Sequence, residues 1–79
     1  MNEKSNKPKP GEMVVLVGLP PRFFDDLPEE DQLAISSVIG KAIILKGYDK
    51  DGRAELEFTE KNGIIRFIYV SPEFVRRAK

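Results

Sequence analysis

Two matching connectors constrain this chain most. Asp49-Lys50-Asp51-Gly52 and Glu60-Lys61-Asn62-Gly63 both end in glycine, and they divide Lys41 to Val70 into three segments whose apolar residues recur with period two. Alternation of that kind is the signature of strands with one buried face, and a polar connector closing on glycine supplies the positive φ that a hairpin turn needs. Lys41 to Tyr48, Arg53 to Thr59 and Ile64 to Val70 are therefore expected to form a three-stranded antiparallel meander.

Read as four-residue loops, the connectors predict a register. Leu45 falls opposite Leu56, Ile43 opposite Phe58, Phe58 opposite Ile65 and Leu56 opposite Phe67, which makes one apolar face. On the other face Lys46 meets Glu55 and Glu57 meets Arg66. Such cross-strand pairs contribute only about 0.2 to 1 kcal/mol each, but a slip of one residue would turn a whole strand over. Ile44, Ile68 and Val70 share that second face with the charges, and the helix or the first strand is expected to cover it.

The rest of the chain is assigned around this meander. Met1 to Gly11, with Pro8 and Pro10 among lysines and asparagines, has little to bury and reads as a tail, leaving 12–79 as the domain. Glu12 to Val17 is continuously apolar after Glu12 and reads as a strand buried on both faces. Pro20 and Pro21 make Leu19 to Leu27 a loop. A helix follows: Pro28 suits the first helical position, Glu29, Glu30 and Asp31 place negative charge at the dipole's positive end, and Leu27, Ala34, Ile35, Val38 and Ile39 have helical spacing. Gly40 is the expected left-handed stop.

After the meander, Ser71-Pro72-Glu73-Phe74-Val75 reads as one turn of helix leading into a last extended piece. This segment resembles the end of SH3-like barrels, which often runs proline, serine, a polar residue, tyrosine and valine; Phe74 stands at the aromatic position. The order strand, long loop, meander, helical turn, strand is similar as well. The resemblance implies a mainly β, SH3-like small barrel with one helix between its first and second strands. It does not imply polyproline recognition, because the chain has no tryptophan and no run of tyrosines after the first strand. The chain also resembles small bacterial proteins, a resemblance that implies no activity.

Composition narrows the function. The chain has 79 residues, enough for one core, and a domain of this size buries only about 60% of the surface its unfolded chain exposes. With no cysteine, packing alone must hold it. No apolar stretch of signal-peptide or membrane-spanning length is present, so a cytoplasmic protein is expected. Thirteen basic residues balance thirteen acidic ones, which provides no bulk field toward phosphate backbones. Lys4, Lys7, Lys9, Arg76, Arg77 and Lys79 do make the ends basic, and nucleic-acid binding through them is the alternative to protein binding. The central strands, however, alternate basic residues with glutamate instead of interleaving them with aromatics.

Catalysis is not expected. Histidine and cysteine are absent, and Ser36, Ser37 and Ser71 are explained by solvent exposure or capping. The aspartates before Gly52 invite comparison with a calcium loop, but aligning that glycine puts Gly47 at the first ligand position and Phe58 at the last, where glutamate is required. No metal or cofactor is assigned. The acidic run from Asp25 to Asp31 is accounted for by the helix start.

One segment has the chemistry of a contact surface. Pro20-Pro21-Arg22-Phe23-Phe24 combines stiffness with an arginine and aromatic area, with one phenylalanine expected inside and one outside. Tyr48 and Tyr69 are expected to extend it. The sequence thus reads as a non-catalytic protein-binding or regulatory module, with an enzyme's accessory subunit as a further form of that role.

Overall fold

The computed structural model describes residues 7–78. Strand β1 (Met13–Leu16) is followed by the long loop, helix α1 (Glu29–Val38), the meander β2 (Ala42–Tyr48), β3 (Ala54–Thr59) and β4 (Ile65–Val70), a 3-10 turn (Pro72–Phe74) and β5 (Val75–Arg77). All pairings are antiparallel, in the order β4-β3-β2-β1-β5. The fold is mainly β, as the alternation and turns imply.

The five-stranded sheet does not close into the expected barrel: β4 and β5 remain at opposite ends of the strand order. Closure needs strands to tilt and coil until the first and last meet. With four residues in β1 and three in β5, there is little strand to carry that curl round. Helix α1 instead lays Ile35 and Val38 on the core face, beside Val14, Leu16, Ile43, Leu45, Ala54, Leu56, Phe58, Ile68 and Val70. Among the described residues no helix covers the other face, so β1 is fully buried on one side only: Val14 and Leu16 are inaccessible, whereas Val15 is half-buried and Met13 exposed.

Both meander turns are three-residue loops, one residue tighter than the sequence reading. At the first, the Asp49 N–H donates to the Arg53 carbonyl and the Gly52 N–H to the Asp49 carbonyl, each at 2.9 Å. Gly52 takes φ +83°, which makes this a type I turn followed by a left-handed glycine. The tighter loop pairs Tyr48 with Ala54 and Gly47 with Glu55. A β-bulge at Lys46 then absorbs the offset, and Leu45 faces Leu56 as expected. Lys46 does not meet Glu55; its ammonium lies 3.4 Å from Glu57.

The second turn is built alike, with Glu60 N–H to Ile64 carbonyl at 2.8 Å, Gly63 N–H to Glu60 carbonyl at 2.9 Å, and Gly63 at φ +90°. No bulge follows, so the offset persists down β4: Phe58 pairs with Arg66, Glu57 with Phe67 and Leu56 with Ile68. The strand is turned over relative to the expected register. Ile68 and Val70 are core residues, whereas Ile65 and Phe67 lie outside. Arg66 does not pair with Glu57. From the core-facing side of β4 it reaches Asp31 of α1 at 2.5 Å and Glu60 of the turn, tying helix to sheet, and those two carboxylates raise its pKa.

Helix α1 starts one residue later than Pro28, which is its cap and offers no side-chain bond. Its last turn gives way to an extended Ile39, which is exposed, and to Gly40 at φ +89°, whose N–H donates to the Leu16 carbonyl at 2.8 Å. Of the segment read as a tail, residues 7–11 are bonded to the domain: the Gly11 N–H donates to the Leu45 carbonyl at 2.7 Å and the Lys9 N–H to Glu12 Oε1 at 2.7 Å. Residues 1–6, with Lys4, and residue 79 lie outside the described residues.

Candidate functional site

The loop from Leu19 to Leu27 winds through successive tight turns, with N–H donors on Phe23, Asp25 and Leu27 reaching the carbonyls of Pro20, Arg22 and Phe24 at 3.0 to 3.2 Å. Gln32 of α1 ties the loop to the helix by donating from Nε2 to the carbonyls of Leu27 (2.8 Å) and Phe24 (3.3 Å). Pro21 and Arg22 form the exposed tip. Arg22 holds a left-handed φ of +67°, its Nε 2.8 Å from Asp25, with 85% of the side chain open to solvent.

Phe23 and Phe24 meet edge to face with ring centres 5.9 Å apart, and both are half-buried against the core. The expected division into one inside and one outside does not occur. Pro20 is half-buried as well, so the loop shows solvent less aromatic area than its composition suggests.

The two tyrosines diverge. Tyr48 packs against the core, donates its hydroxyl to the Pro8 carbonyl at 2.8 Å and carries the Lys7 ammonium 4.3 Å above its ring; the loss of water raises its pKa. It anchors residues 7–11. Tyr69 stands on the outer side of β4, 42% exposed, with the Arg53 guanidinium 5.9 Å from its ring centre. Partial desolvation and then the Glu55 carboxylate raise its pKa.

Tyr69 and Phe23 come together along a groove of about 490 Å³. Phe23, Leu27, Asp31 and Ile35 form its loop and helix side, and residues 64–69 of β4 with its preceding turn residue form the other. Pro20, Pro21, Arg22, Phe24 and Tyr48 do not line it. A larger depression, about 730 Å³, opens between α1 and the β2 and β3 strands, with Glu30, Lys41, Glu57 and Lys61 among its lining residues. It contains none of the residues expected to bind.

Ile65, Phe67 and Tyr69 recur at every second position along β4 and are 54%, 49% and 42% exposed. β4 is an edge strand: among the described residues, only β3 pairs with it. Its backbone explains why this edge is open. Since Glu60 bonds Ile64, alternation along the ladder makes Arg66, Ile68 and Val70 the residues that bond β3. The N–H and C=O groups of Ile65, Phe67 and Tyr69 therefore point outward, away from the sheet.

The four-residue register puts Ile65 and Phe67 in the core; the three-residue loop, with no bulge after it to absorb the offset, turns them outward. The available signal was that a turn ending in glycine fits a three-residue loop as well as a four-residue one.

Asp49 belongs to its turn. Oδ1 accepts the Asp51 and Arg53 N–H groups and Oδ2 accepts Arg53 Nε, all at 2.9 Å. Desolvation pushes its pKa up, but these hydrogen bonds outweigh it and hold the carboxyl below the usual range. Among the described residues no group of three or more His, Cys, Asp or Glu side chains converges as metal ligands do. No helix there is long and apolar enough to cross a membrane.

Comparison with protein-family models, curated proteins and solved structures produced no match. The class is therefore defined by the fold and surface alone: a small mainly β domain with an open five-stranded antiparallel sheet, one helix across its core face and an apolar edge strand.

Proposed function

We propose that this chain is a cytoplasmic, non-catalytic protein-binding module, a variant of the SH3-like small barrel in which α1 occupies the place of barrel closure. Two features favour the SH3-like reading: the strand order β4-β3-β2-β1-β5 and the 3-10 turn that leads into the last strand. The observation that carries the functional reading is the open β4 edge, where Ile65, Phe67 and Tyr69 present apolar side chains and unpaired backbone groups beside the Phe23 groove. An extended segment laid along that edge completes the backbone ladder while its side chains fill the groove, which is recognition by strand addition. The Pro20 to Phe24 loop then acts as the groove's lip through Phe23.

Capture of a protein partner by the immobilised chain tests this. Phe67→Lys is expected to abolish recovery and Arg22→Ala to leave most of it. Undiminished recovery of the same partner by a folded Phe67→Lys chain overturns β4 as the docking edge.

A further inference from the structure

We infer that the partner laid along β4 is a second copy of this chain, joined edge to edge in a closed two-fold dimer; this rests on the reading of β4 as a docking edge. The two ends of the sheet differ sharply. β5 is three residues long and carries Arg76 and Arg77, the short, charged form in which natural sheets protect an edge. β4 is six residues long and contains no proline, no bulge and no charged residue among its outward positions. One open edge and one protected edge allow a pair and block a polymer.

The β4 edge is complementary to itself. An antiparallel pairing centred on Phe67 sets Phe67 across from Phe67 of the second copy and Ile65 across from its Tyr69. The outward N–H and C=O groups of Ile65, Phe67 and Tyr69 from both copies then form about six hydrogen bonds, with none left over among those three residues. Aromatic and β-branched side chains opposite one another are favourable cross-strand neighbours. The charge pattern fits too. Arg66 is the one charged residue in β4 and is held by Asp31 and Glu60 of its own chain, while the residues that meet across the seam, Ile65, Phe67 and Tyr69, are uncharged, so the pairing sets no like-charged side chains opposite each other. The two-fold runs perpendicular to the sheet, which puts both helices on one face and brings Phe23 and Leu27 of each copy alongside the seam.

Sedimentation equilibrium of the full chain over a wide concentration range tests the inference. The wild-type mass is expected to rise from 9.0 kDa to double that value. Phe67→Lys and Phe67→Glu are each expected to stay at the monomer mass with an unchanged far-UV spectrum, because each sets like charges across the seam. An equimolar mixture of the two is expected to recover the dimer, since lysine then faces glutamate. A wild-type chain that stays at 9.0 kDa throughout overturns the inference, as does a Phe67→Lys variant that associates like wild type or a mixture of the two folded variants that stays monomeric. A monomeric wild type that still captures another protein through Phe67 overturns the second copy as occupant and leaves the docking edge standing.

Discussion

At the scale of single residues, turn chemistry and one ion pair do much of the organising. Gly63 has no atom within 4 Å of where a Cβ would stand, so substitution there tests backbone conformation without a clash. Its φ of +90° lies where L side chains are strained. Gly63→Ala is expected to lower stability by about 1 to 2 kcal/mol in urea unfolding, and Gly63→Asn to cost less, because asparagine tolerates left-handed backbone better. Asp49 performs the corresponding service at the first turn by accepting bonds from two amides and a guanidinium. Arg66 acts at longer range, linking the helix start to the second turn across the edge of the core.

At the scale of elements, register decides which side of β4 is core. Ile68 is buried against Leu56, whereas Phe67 stands half in solvent. Ile68→Ala is therefore expected to cost about 2 to 4 kcal/mol, and Phe67→Ala under about 1 kcal/mol when both are measured by urea unfolding of monomeric protein. The register of four-residue loops demands the reverse order. The Lys46 bulge can be tested in the same way. Lys46→Ala removes an exposed side chain and an ion pair at 3.4 Å, and its expected cost is under about 1 kcal/mol. Deleting Lys46 removes the extra residue and leaves Leu45 with Leu56 and Gly47 with Glu55 as consecutive pairs of a regular ladder, so the cooperative thermal transition seen by circular dichroism is expected to be retained.

At the scale of the whole molecule, the domain is held by packing together with polar ties between distant parts of the chain. Glu12 is one such tie: it accepts the Lys9 N–H at 2.7 Å and meets Arg77 of β5 at 3.2 Å. The Lys9 hydrogen bond, opposed by desolvation and aided by Arg77, lowers its pKa. Asp49 is lowered too, since its hydrogen bonds outweigh its desolvation. Both carboxyls therefore titrate at lower pH when folded than when unfolded, where about 4 is ordinary. Their contribution is complete above that unfolded range and is lost as pH falls through the folded values. The melting temperature is expected to stay level from neutral pH to about 5 and to fall below about 4, with a smaller fall in Asp49→Asn.

What the amino-acid sequence determined by itself was local. Period-two alternation, glycine-ended turns, acidic residues at the helix start and Ser71-Pro72 after the meander located the elements within a residue or two, because each signal depends on neighbours a few positions apart. The pairing of Leu45 with Leu56 was legible as well, although it is reached through a tighter turn and a compensating bulge. Within the candidate site, Phe23 and Tyr69 were both named from composition, and the groove brings them together. Only the tertiary structure decided that the second hairpin lacks a matching bulge, that Phe67 and Ile65 consequently face out, and that the sheet stays open. The alternation of β4 reads apolar on both faces, so periodicity could not choose between them. The choice belongs to contacts with Leu56, Phe58 and α1, which lie far away in sequence and come together only on folding.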